Sequence, residues 1–282
     1  MNPDTKEVSA VVCTWNAENI IEECLVSLRS NNVGEIVVVD ASSTDRTRQI
    51  ASNYADTILT DPRKGLAYAR NIGIAKTKGK YILNCGSDNV LPDEALAKML
   101  KCLIDKKYTG VSAVTYLKDT QASYLAKAMD LYKRARFYPG ERPVIGTPTL
   151  FLADILKEYL YDSKMGWSDD SDLCDRLAKL GHSFAIADAF VWEIGSESLA
   201  QVLYRWNGYG RSDWEIYSKY SPSWSLERRL KSFVHPLRVE FIQPLLRLED
   251  KEKIDVFPFL MLVTLIRYAS WVKHTIYGLK KN

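Results

Sequence analysis

Val37-Val38-Val39-Asp40 is an uninterrupted β-branched run that ends in an acid, and Ser42-Ser43-Thr44-Asp45 follows almost directly. Such runs are typical of strands that are buried on both faces of a sheet. Thr44 and Asp45 are suited to cap the helix that we expect next. The stretch therefore predicts a strand, a short polar loop and a helix, with Asp40 at the carboxyl end of the strand.

The same alternation of strand and helix extends over the first part of the chain. The predicted strands are Val8–Thr14, Glu35–Asp40, Thr57–Thr60 and Tyr81–Cys85. The predicted helices begin at Asn16 and Thr44 and cover Leu66–Thr77 and Pro92–Leu103. This order favours an α/β fold with a mostly parallel sheet flanked by helices. Ligands of such sheets bind beyond the carboxyl ends of the strands.

The second half of the chain is less regular. We expect a strand over Val111–Leu117, a helix over Ala122–Phe137, an edge strand over Thr149–Leu152, a helix over Asp170–Leu180 and a last strand over Ser183–Ala187. After Ser198 the composition favours helices with aromatic and basic residues. The sequence thus predicts one domain over residues 1–220 and a helical, apolar C-terminal extension over residues 221–282.

Composition excludes several classes of protein. The net charge of +3 is too small for the concentrated basic face of a nucleic-acid partner. The five cysteines are scattered without the spacing of a zinc site. The first seven residues are polar and lack a signal-peptide core, so a cytoplasmic protein is expected.

Asp40 and Arg70 each have a functional and a structural interpretation. Asp40 can accept a hydrogen bond from the imide N–H of a uracil base, or it can cap the turn with Ser42 and its neighbours. Arg70, followed by Asn71 on a predicted helix, can bind a diphosphate because its fork matches phosphate oxygens. The alternative for Arg70 is a solvated surface charge.

Two further acidic clusters follow. Ser87-Asp88-Asn89 ends a strand, and its oxygen ligands suit Mn²⁺ or Mg²⁺; a simple turn before Pro92 is the alternative. Asp169-Asp170-Ser171-Asp172 opens a helix, where acids cap the helix and complement its dipole. Three acids in four positions repel one another, and a carboxylate with a raised pKa is the usual general base.

With these motifs, the chain resembles the family 2 glycosyltransferases of the GT-A fold from about Val8 to Gly210. The resemblance rests on residues 13–18, on Val38–Asp45, on Ala69-Arg70-Asn71-Ile72-Gly73, and on Asp169–Leu173 with Arg176. It implies a GT-A-like sheet and an inverting transfer of sugar from a nucleotide-sugar donor, with UDP favoured over GDP and with Mn²⁺ or Mg²⁺ as cofactor.

The resemblance also implies roles for individual residues. Asp170 would be the catalytic base, Asp40 would contact the nucleotide base, and Asp88 would bind metal and diphosphate. The donor-binding residues would be Thr14, Asn16, Glu18, Asp40, Ser42, Arg70, Asn71, Ser87, Asp88 and Asp169. The metal ligands would be Asp88, Asn89 and Glu193.

The metal motif departs from the family pattern. The family's D-x-D has acids at both ends, whereas this chain has Gly86-Ser87-Asp88. The family often adds a histidine after the last strand, and Glu193 is the nearest counterpart here. Our hypothesis is that the Glu193 carboxylate replaces both the first D-x-D acid and the histidine as a metal ligand. A weakened domain that acts as a binding or scaffold subunit is the main alternative function.

The chain lacks the motifs of two other classes of nucleotide-binding enzyme. A nucleotidyltransferase needs a Gly-rich loop with Arg and Lys after the first strand, where this chain has residues 14–18 instead. A dehydrogenase needs G-x-G-x-x-G at the same place, which is also absent.

The C-terminal region has a membrane interpretation. Val256–Ile266 is apolar but too short for the roughly 20 residues that span a bilayer, and Pro258 argues against an uninterrupted helix. The aromatic and basic residues around it, with Arg228, Arg229, Lys231 and Arg238 upstream, are typical of an interface-lying segment. We expect peripheral contact of residues 254–279 with the cytoplasmic face of a membrane, and a glycan or lipid-linked acceptor such as a polyprenyl phosphate. A helix packed on the core or in a dimer is the alternative.

Overall fold

The computed structural model describes residues 4–120, 123–195 and 198–279, which form two compact units. The first unit runs to Lys118 and resumes over Tyr138–Ile194. The second consists of Asp119–Phe137 and the chain from Gly195 onward. The last change from the first unit to the second thus falls between Ile194 and Gly195. The domain boundary at residue 220 stays a prediction.

The nine strands found among the described residues all lie in the first unit. They are β1 (Val8–Thr14), β2 (Glu35–Asp40), β3 (Thr57–Thr60), β4 (Tyr81–Gly86), β5 (Asn89–Val90), β6 (Gly110–Leu117), β7 (Gly140–Arg142), β8 (Thr149–Leu152) and β9 (Phe184–Glu193). Its helices are α1 (Ile21–Ser30), α2 (Thr47–Ala51), α3 (Leu66–Ile74), α4 (Ala95–Asp105), α6 (Ala153–Glu158) and α7 (Asp169–Ala178). The second unit contains α5 (Tyr124–Arg136), α8 (Leu199–Tyr220), α9 (Leu226–Leu237), α10 (Gln243–Leu245) and α11 (Asp250–Leu279).

The strands form one mixed sheet in the order β3-β2-β1-β4-β8-β6-β9-β5, with β7 on β9. The strands β3, β2, β1 and β4 are parallel, as predicted. The prediction of an edge strand at β8 was wrong, because β8 lies between β4 and β6 and is antiparallel to both. Its side chains agree with a central position, since Thr149, Leu150 and Phe151 are all buried.

Helices cover both faces of the sheet. Leu25 of α1 and Met99 of α4 lie in the core on one face, and Ile74 of α3 and Leu173 of α7 lie in the core on the other. Helix α3 approaches the sheet closely, because a Cβ at Gly73 would be 2.5 Å from a methyl carbon of Val11. The α/β architecture predicted from the alternation is confirmed.

Several predicted boundaries differ from the structure. The first helix begins at Ile21 rather than Asn16, because residues 16–18 bond to the loop after β2. The helix expected from Pro92 begins at Ala95, and the last strand extends to Glu193. The short helix α6 had not been predicted. Ala122, where the fifth helix was expected to begin, lies outside the described residues.

Helix α11 was predicted to be interrupted, and that prediction was wrong. It continues through Pro258 for 30 residues. Pro258 and Ile254 are exposed, so the carbonyl that loses its hydrogen bond faces solvent, where it costs least. Among the described residues, Asp250–Tyr277 is the one helix whose length and composition would allow it to cross a membrane.

Candidate functional site

The loops that follow β1 and β2 are joined by hydrogen bonds. The backbone N–H of Asn16 donates to Ser43 Oγ at 2.9 Å, and the Asn16 side-chain oxygen accepts from the N–H of Thr44 at 2.9 Å. Glu18 accepts from both the backbone and the side chain of Arg46 at 3.1 Å. Asn16 and Glu18, predicted to bind the donor, therefore hold the loop that carries Asp40 and Ser42.

Asp40 lies buried at the carboxyl end of β2. Its carboxylate accepts from Ser43 Oγ at 2.5 Å and from the Ser43 N–H at 3.2 Å, which is the turn-capping arrangement. Ser42 Oγ donates to the carbonyl of Asp61 at 3.1 Å. At the end of β1, Thr14 Oγ1 is buried without a hydrogen-bond partner among the described residues. A buried hydroxyl of this kind is a natural contact for a bound ligand.

The second group of predicted residues meets around Arg70. One guanidinium nitrogen, Nη1, donates to Asp169 Oδ2 at 2.7 Å and to Asp170 Oδ1 at 3.1 Å. Nη2 donates to Thr147 Oγ1, and the guanidinium lies 4.9 Å from the ring of Tyr161. Arg70 is buried, so its interpretation as a solvated surface charge was wrong. Its predicted contact with a diphosphate stays a prediction.

The charges in this cluster have different environments. Burial alone lowers the pKa of Arg70, but Asp170, Tyr161 and Asp169 raise it above its ordinary value, so Arg70 remains a cation. Burial raises the pKa of Asp169 to about 6 against the opposing effect of Arg70. The side chain of Asp169 is only 6% exposed, whereas that of Asp170 is 23% exposed. Asp170 is therefore the more accessible carboxylate of the pair.

Asn71 supports this cluster rather than extending it. Its amide donates to the carbonyl of Tyr161 at 2.8 Å and accepts from the Tyr161 N–H at 3.0 Å. The Tyr161 hydroxyl in turn accepts from Asn84 at 3.1 Å. Asn71 therefore fixes the segment whose aromatic ring lies against Arg70.

Sequence reasoning missed Thr147 and Tyr161. Gly146 and Pro148 mark a turn at Thr147, and a Cβ at Gly146 would lie 3.9 Å from Asp170 Oδ2. Gly146 and Pro148 thus indicate the turn, but they do not indicate that Asp170 lies beside it. Tyr161 had no signal in the sequence, because its contacts with residues 70 and 71 are about 90 positions away along the chain.

The third group lies where β4 turns into β5. The side-chain oxygen of Asn89 accepts from the N–H of Gly86 at 3.0 Å, which closes the turn around Ser87 and Asp88. Asn89 pairs with Glu193 in the sheet register, and the Ile194 N–H donates to the carbonyl of Asp88 at 2.7 Å. The strand ends thus bring Asp88 and Glu193 into neighbouring positions.

This turn has some of the features of a divalent-metal site. Oxygen ligands of the right type are present in Asp88 and Glu193, but Asn89 directs its oxygen to Gly86. The part of the chain that the structure describes contains no group of three or more His, Cys, Asp or Glu side chains that could hold a metal ion. These residues therefore fit a metal only as a partial ligand set, which phosphate oxygens of a substrate would have to complete.

Comparison with protein families gives one clear match. The sequence model described as Glycosyl transferase family 2 matches residues 9–160, which is more than half of the chain. TarS of Staphylococcus aureus (strain Mu50), a poly(ribitol-phosphate) beta-N-acetylglucosaminyltransferase, is 32% identical over 113 residues, which are 36% of this chain and 20% of TarS. The matches also cover only 32%, 42% and 46% of three other bacterial relatives.

Solved structures agree on the fold. The mannosyltransferase PcManGT of Pyrobaculum calidifontis, in complex with GDP-Man and Mn²⁺, has a TM-score of 0.62 at 18% identity, covering 94% of this chain and 87% of that one. S. aureus TarS 1-349 in complex with UDP-GlcNAc has a TM-score of 0.53 at 15% identity, covering 94% and 89%. At these identities the similarity is one of fold.

Proposed function

Because the chain belongs to glycosyl transferase family 2, we propose that it is an inverting enzyme that moves a sugar from a nucleotide-sugar donor to a hydroxyl or phosphate acceptor. One observation carries this proposal: Arg70 holds two adjacent acids at the start of α7, and one of them, Asp170, remains partly exposed. An accessible carboxylate on a rigid support is what a general base requires.

The reaction is a single displacement. Asp170 takes the proton of the acceptor hydroxyl, whose oxygen attacks the anomeric carbon from the face opposite the nucleotide. The bond from that carbon to the diphosphate breaks, and the anomeric configuration inverts. Arg70 and Thr147 act as positioning residues, because their hydrogen bonds fix the acid pair.

The donor is assigned to the carboxyl ends of β1, β2 and β4. Asp40 accepts from the nucleotide base, which favours UDP over GDP, and the unpartnered hydroxyl of Thr14 contributes a second polar contact. Asp88 would hold Mn²⁺ or Mg²⁺ together with the diphosphate, and Glu193 would assist because it pairs in the sheet with Asn89, the next residue. When bound, such an ion neutralises charge on the departing nucleotide. The PcManGT complex with GDP-Man and Mn²⁺ supports this cofactor by analogy of fold.

The acceptor is a glycan or a lipid-linked glycan at the cytoplasmic face of a membrane. Support comes from the apolar length of α11, which gives residues 254–279 a means of peripheral contact. The name of TarS, a poly(ribitol-phosphate) beta-N-acetylglucosaminyltransferase, supports a polymeric cell-envelope acceptor.

The alternative function, a binding or scaffold subunit, is favoured by Gly86 at the place of the first D-x-D acid. Both functions predict a folded GT-A-like unit. They differ in whether the donor binds with metal and whether its sugar is released.

A thermal-unfolding panel tests the proposal. The protein is heated with UDP, GDP or dTDP, each with EDTA, Mg²⁺ or Mn²⁺. At about 100 times Kd, ligand stabilises the folded protein by about 2.7 kcal/mol. We expect a shift with UDP and metal that Asp88→Ala loses and that Asp93→Ala, an exposed acid five positions further on, retains. Slow release of labelled sugar from UDP-sugar then separates the enzyme from the scaffold. No shift with any nucleotide would contradict the proposal.

A further inference from the structure

Helix α9 exposes one complete apolar side. Leu226, Leu230, Phe233, Val234 and Leu237 recur at the spacing of a single helix face, and their side chains are 39% to 73% exposed. Of its 12 residues, all of them described, Pro236 alone is buried. Most helices in proteins are stabilised by packing their apolar side. Most of the apolar side of α9 therefore lacks the cover that such a helix normally has, although Phe233 packs on Trp271.

Helix α11 exposes a second apolar stripe. Its members recur three, four or seven positions apart along one side of the helix, and they are Ile254, Phe257, Met261, Leu265, Val272 and Ile276. The opposite side is buried through Val256, Leu260 and Val263. There the helix lies directly on α8, since a Cβ at Gly210 would overlap the carbonyl of Arg267. One side of α11 is thus an internal protein contact and the other side is exposed.

The two exposed sides meet at Tyr268, which stands between Leu265 and Val272 in the stripe. Its hydroxyl donates to the carbonyl of Phe233 at 2.5 Å and accepts from the N–H of Leu237 at 3.3 Å. The Phe233 ring also stacks on Trp271, with centroids 5.1 Å apart and planes at 10°. The exposed residues of α9 and α11 therefore form one continuous surface, called here the apolar face.

Positive charge predominates along α9 and along α11 after Val256, whereas acids are present around Ile254 at the start of α11. Between residues 226 and 239 the sequence has the cations Arg228, Arg229, Lys231 and Arg238 and the single acid Glu227. That acid is paired with Lys231 at 2.5 Å. From Val256 to Asn282 the sequence contains no Asp or Glu. A basic helix with one apolar side is the pattern of a segment that lies in the interface of an anionic membrane.

We propose that the apolar face docks on an anionic lipid surface, with α9 lying in the plane of the interface and the α11 stripe beside it. The inference deepens the membrane contact proposed above by adding α9 and by making the lipid charge decisive. A second copy of the chain is a poorer occupant, because it would bring the α9 cations of both copies together.

Vesicle flotation of the full chain tests this. Vesicles of phosphatidylcholine alone are compared with vesicles that also contain phosphatidylglycerol. We expect binding to the anionic vesicles only, and loss of that binding as salt increases. The double variant Leu230→Gln, Val234→Gln should weaken binding by at least about tenfold, because both side chains insert. Lys231→Gln with Arg238→Gln should also weaken binding to the anionic vesicles, because it removes two of the four cations.

Leu180→Gln is the matched control, since Leu180 is an equally exposed leucine of the first unit. Equal binding to neutral vesicles, or an equal loss in Leu180→Gln, would overturn the proposal. So would a dimer in sedimentation that the double variant abolishes, which would assign the face to a second copy. The nucleotide-induced thermal shift is measured on the same variants. Because vesicle binding needs no donor, failure of the docking proposal and failure of the proposed function are told apart.

Discussion

Each of the two units contains a buried arginine that is held by two acids. In the first unit Arg70 pairs with Asp169 and Asp170. In the second unit Arg267 pairs with Asp213 at 2.6 and 2.7 Å and with Glu240. For both arginines burial lowers the pKa, and the neighbouring acids more than reverse that effect. The ion pairs alone do not distinguish the two clusters.

The clusters differ in what else their acids contact. Glu240 is completely buried and also accepts from Tyr132 and from the indole N–H of Trp206 at 3.2 Å. Asp170 is 23% exposed beside the turn at Thr147. A buried charge network whose hydrogen-bonding groups all have partners stabilises one packing arrangement. A network in which one acid remains accessible can also act on a substrate. Strong pairing is therefore a poor sign of function unless one member remains accessible.

The largest expected effect comes from Asp170→Asn. Removing a general base lowers the rate of transfer by about 100-fold to 10,000-fold, while the amide keeps the size of the side chain. Sugar transfer is measured together with the nucleotide-induced thermal shift, which should be retained. Asp175→Asn, on the same helix and paired with Lys179 at 2.7 Å, is the control and should transfer normally. Normal turnover by Asp170→Asn would remove that residue from the mechanism.

The second effect is on stability. Glu240→Gln leaves Arg267 and Arg136 without their shared acid in a buried place, and breaking such a pair costs about 3–5 kcal/mol. Denaturant unfolding measures the loss. Glu227→Gln makes the same change at an exposed pair and should cost less than about 1 kcal/mol. If Glu240→Gln and Glu227→Gln lost the same unfolding free energy, the cluster around Arg267 would not have the structural role assigned to it.

The smallest effect is an opposite dependence on pH. Asp169 has its pKa raised to about 6 by burial, so its contribution to stability is present below its ordinary value of 3.8 and is lost as pH rises through 6. For Glu240, burial raises the pKa, but the opposing effect of Arg136 and Arg267 is larger. The pKa of Glu240 is therefore lowered from its ordinary value of 4.5. Its contribution is therefore present above 4.5 and lost as pH falls.

Unfolding free energies of the wild type, Asp169→Asn and Glu240→Gln are compared from about pH 3 to about pH 7. The wild type should lose its advantage over Asp169→Asn as pH rises, and should lose part of its advantage over Glu240→Gln as pH falls. Slopes of the same sign would mean that the two clusters have similar electrostatic environments.

The sequence predicted those features that depend on neighbouring residues. The β-branched run before Asp40 predicted its strand end, and the acids at 169–172 predicted the start of α7. The partner of Arg70 could not be predicted, because residues 70 and 169 are 99 positions apart in the sequence. The central place of β8 depends on pairing with β4 and β6, which a four-residue run does not encode. The prediction at Pro258 was wrong because the cost of the lost backbone hydrogen bond depends on which side of α11 faces solvent. The sequence around Pro258 does not show which side that is.

Gly86 leaves room for the carboxylate that follows it. A Cβ at this position would overlap Asp88 Oδ1, which is the end of a side chain that can rotate. A larger residue at position 86 would therefore be accommodated by a rotation of Asp88 rather than by a shift of the backbone. The present position of that carboxylate thus depends on the size of its neighbour as well as on its own hydrogen bonds.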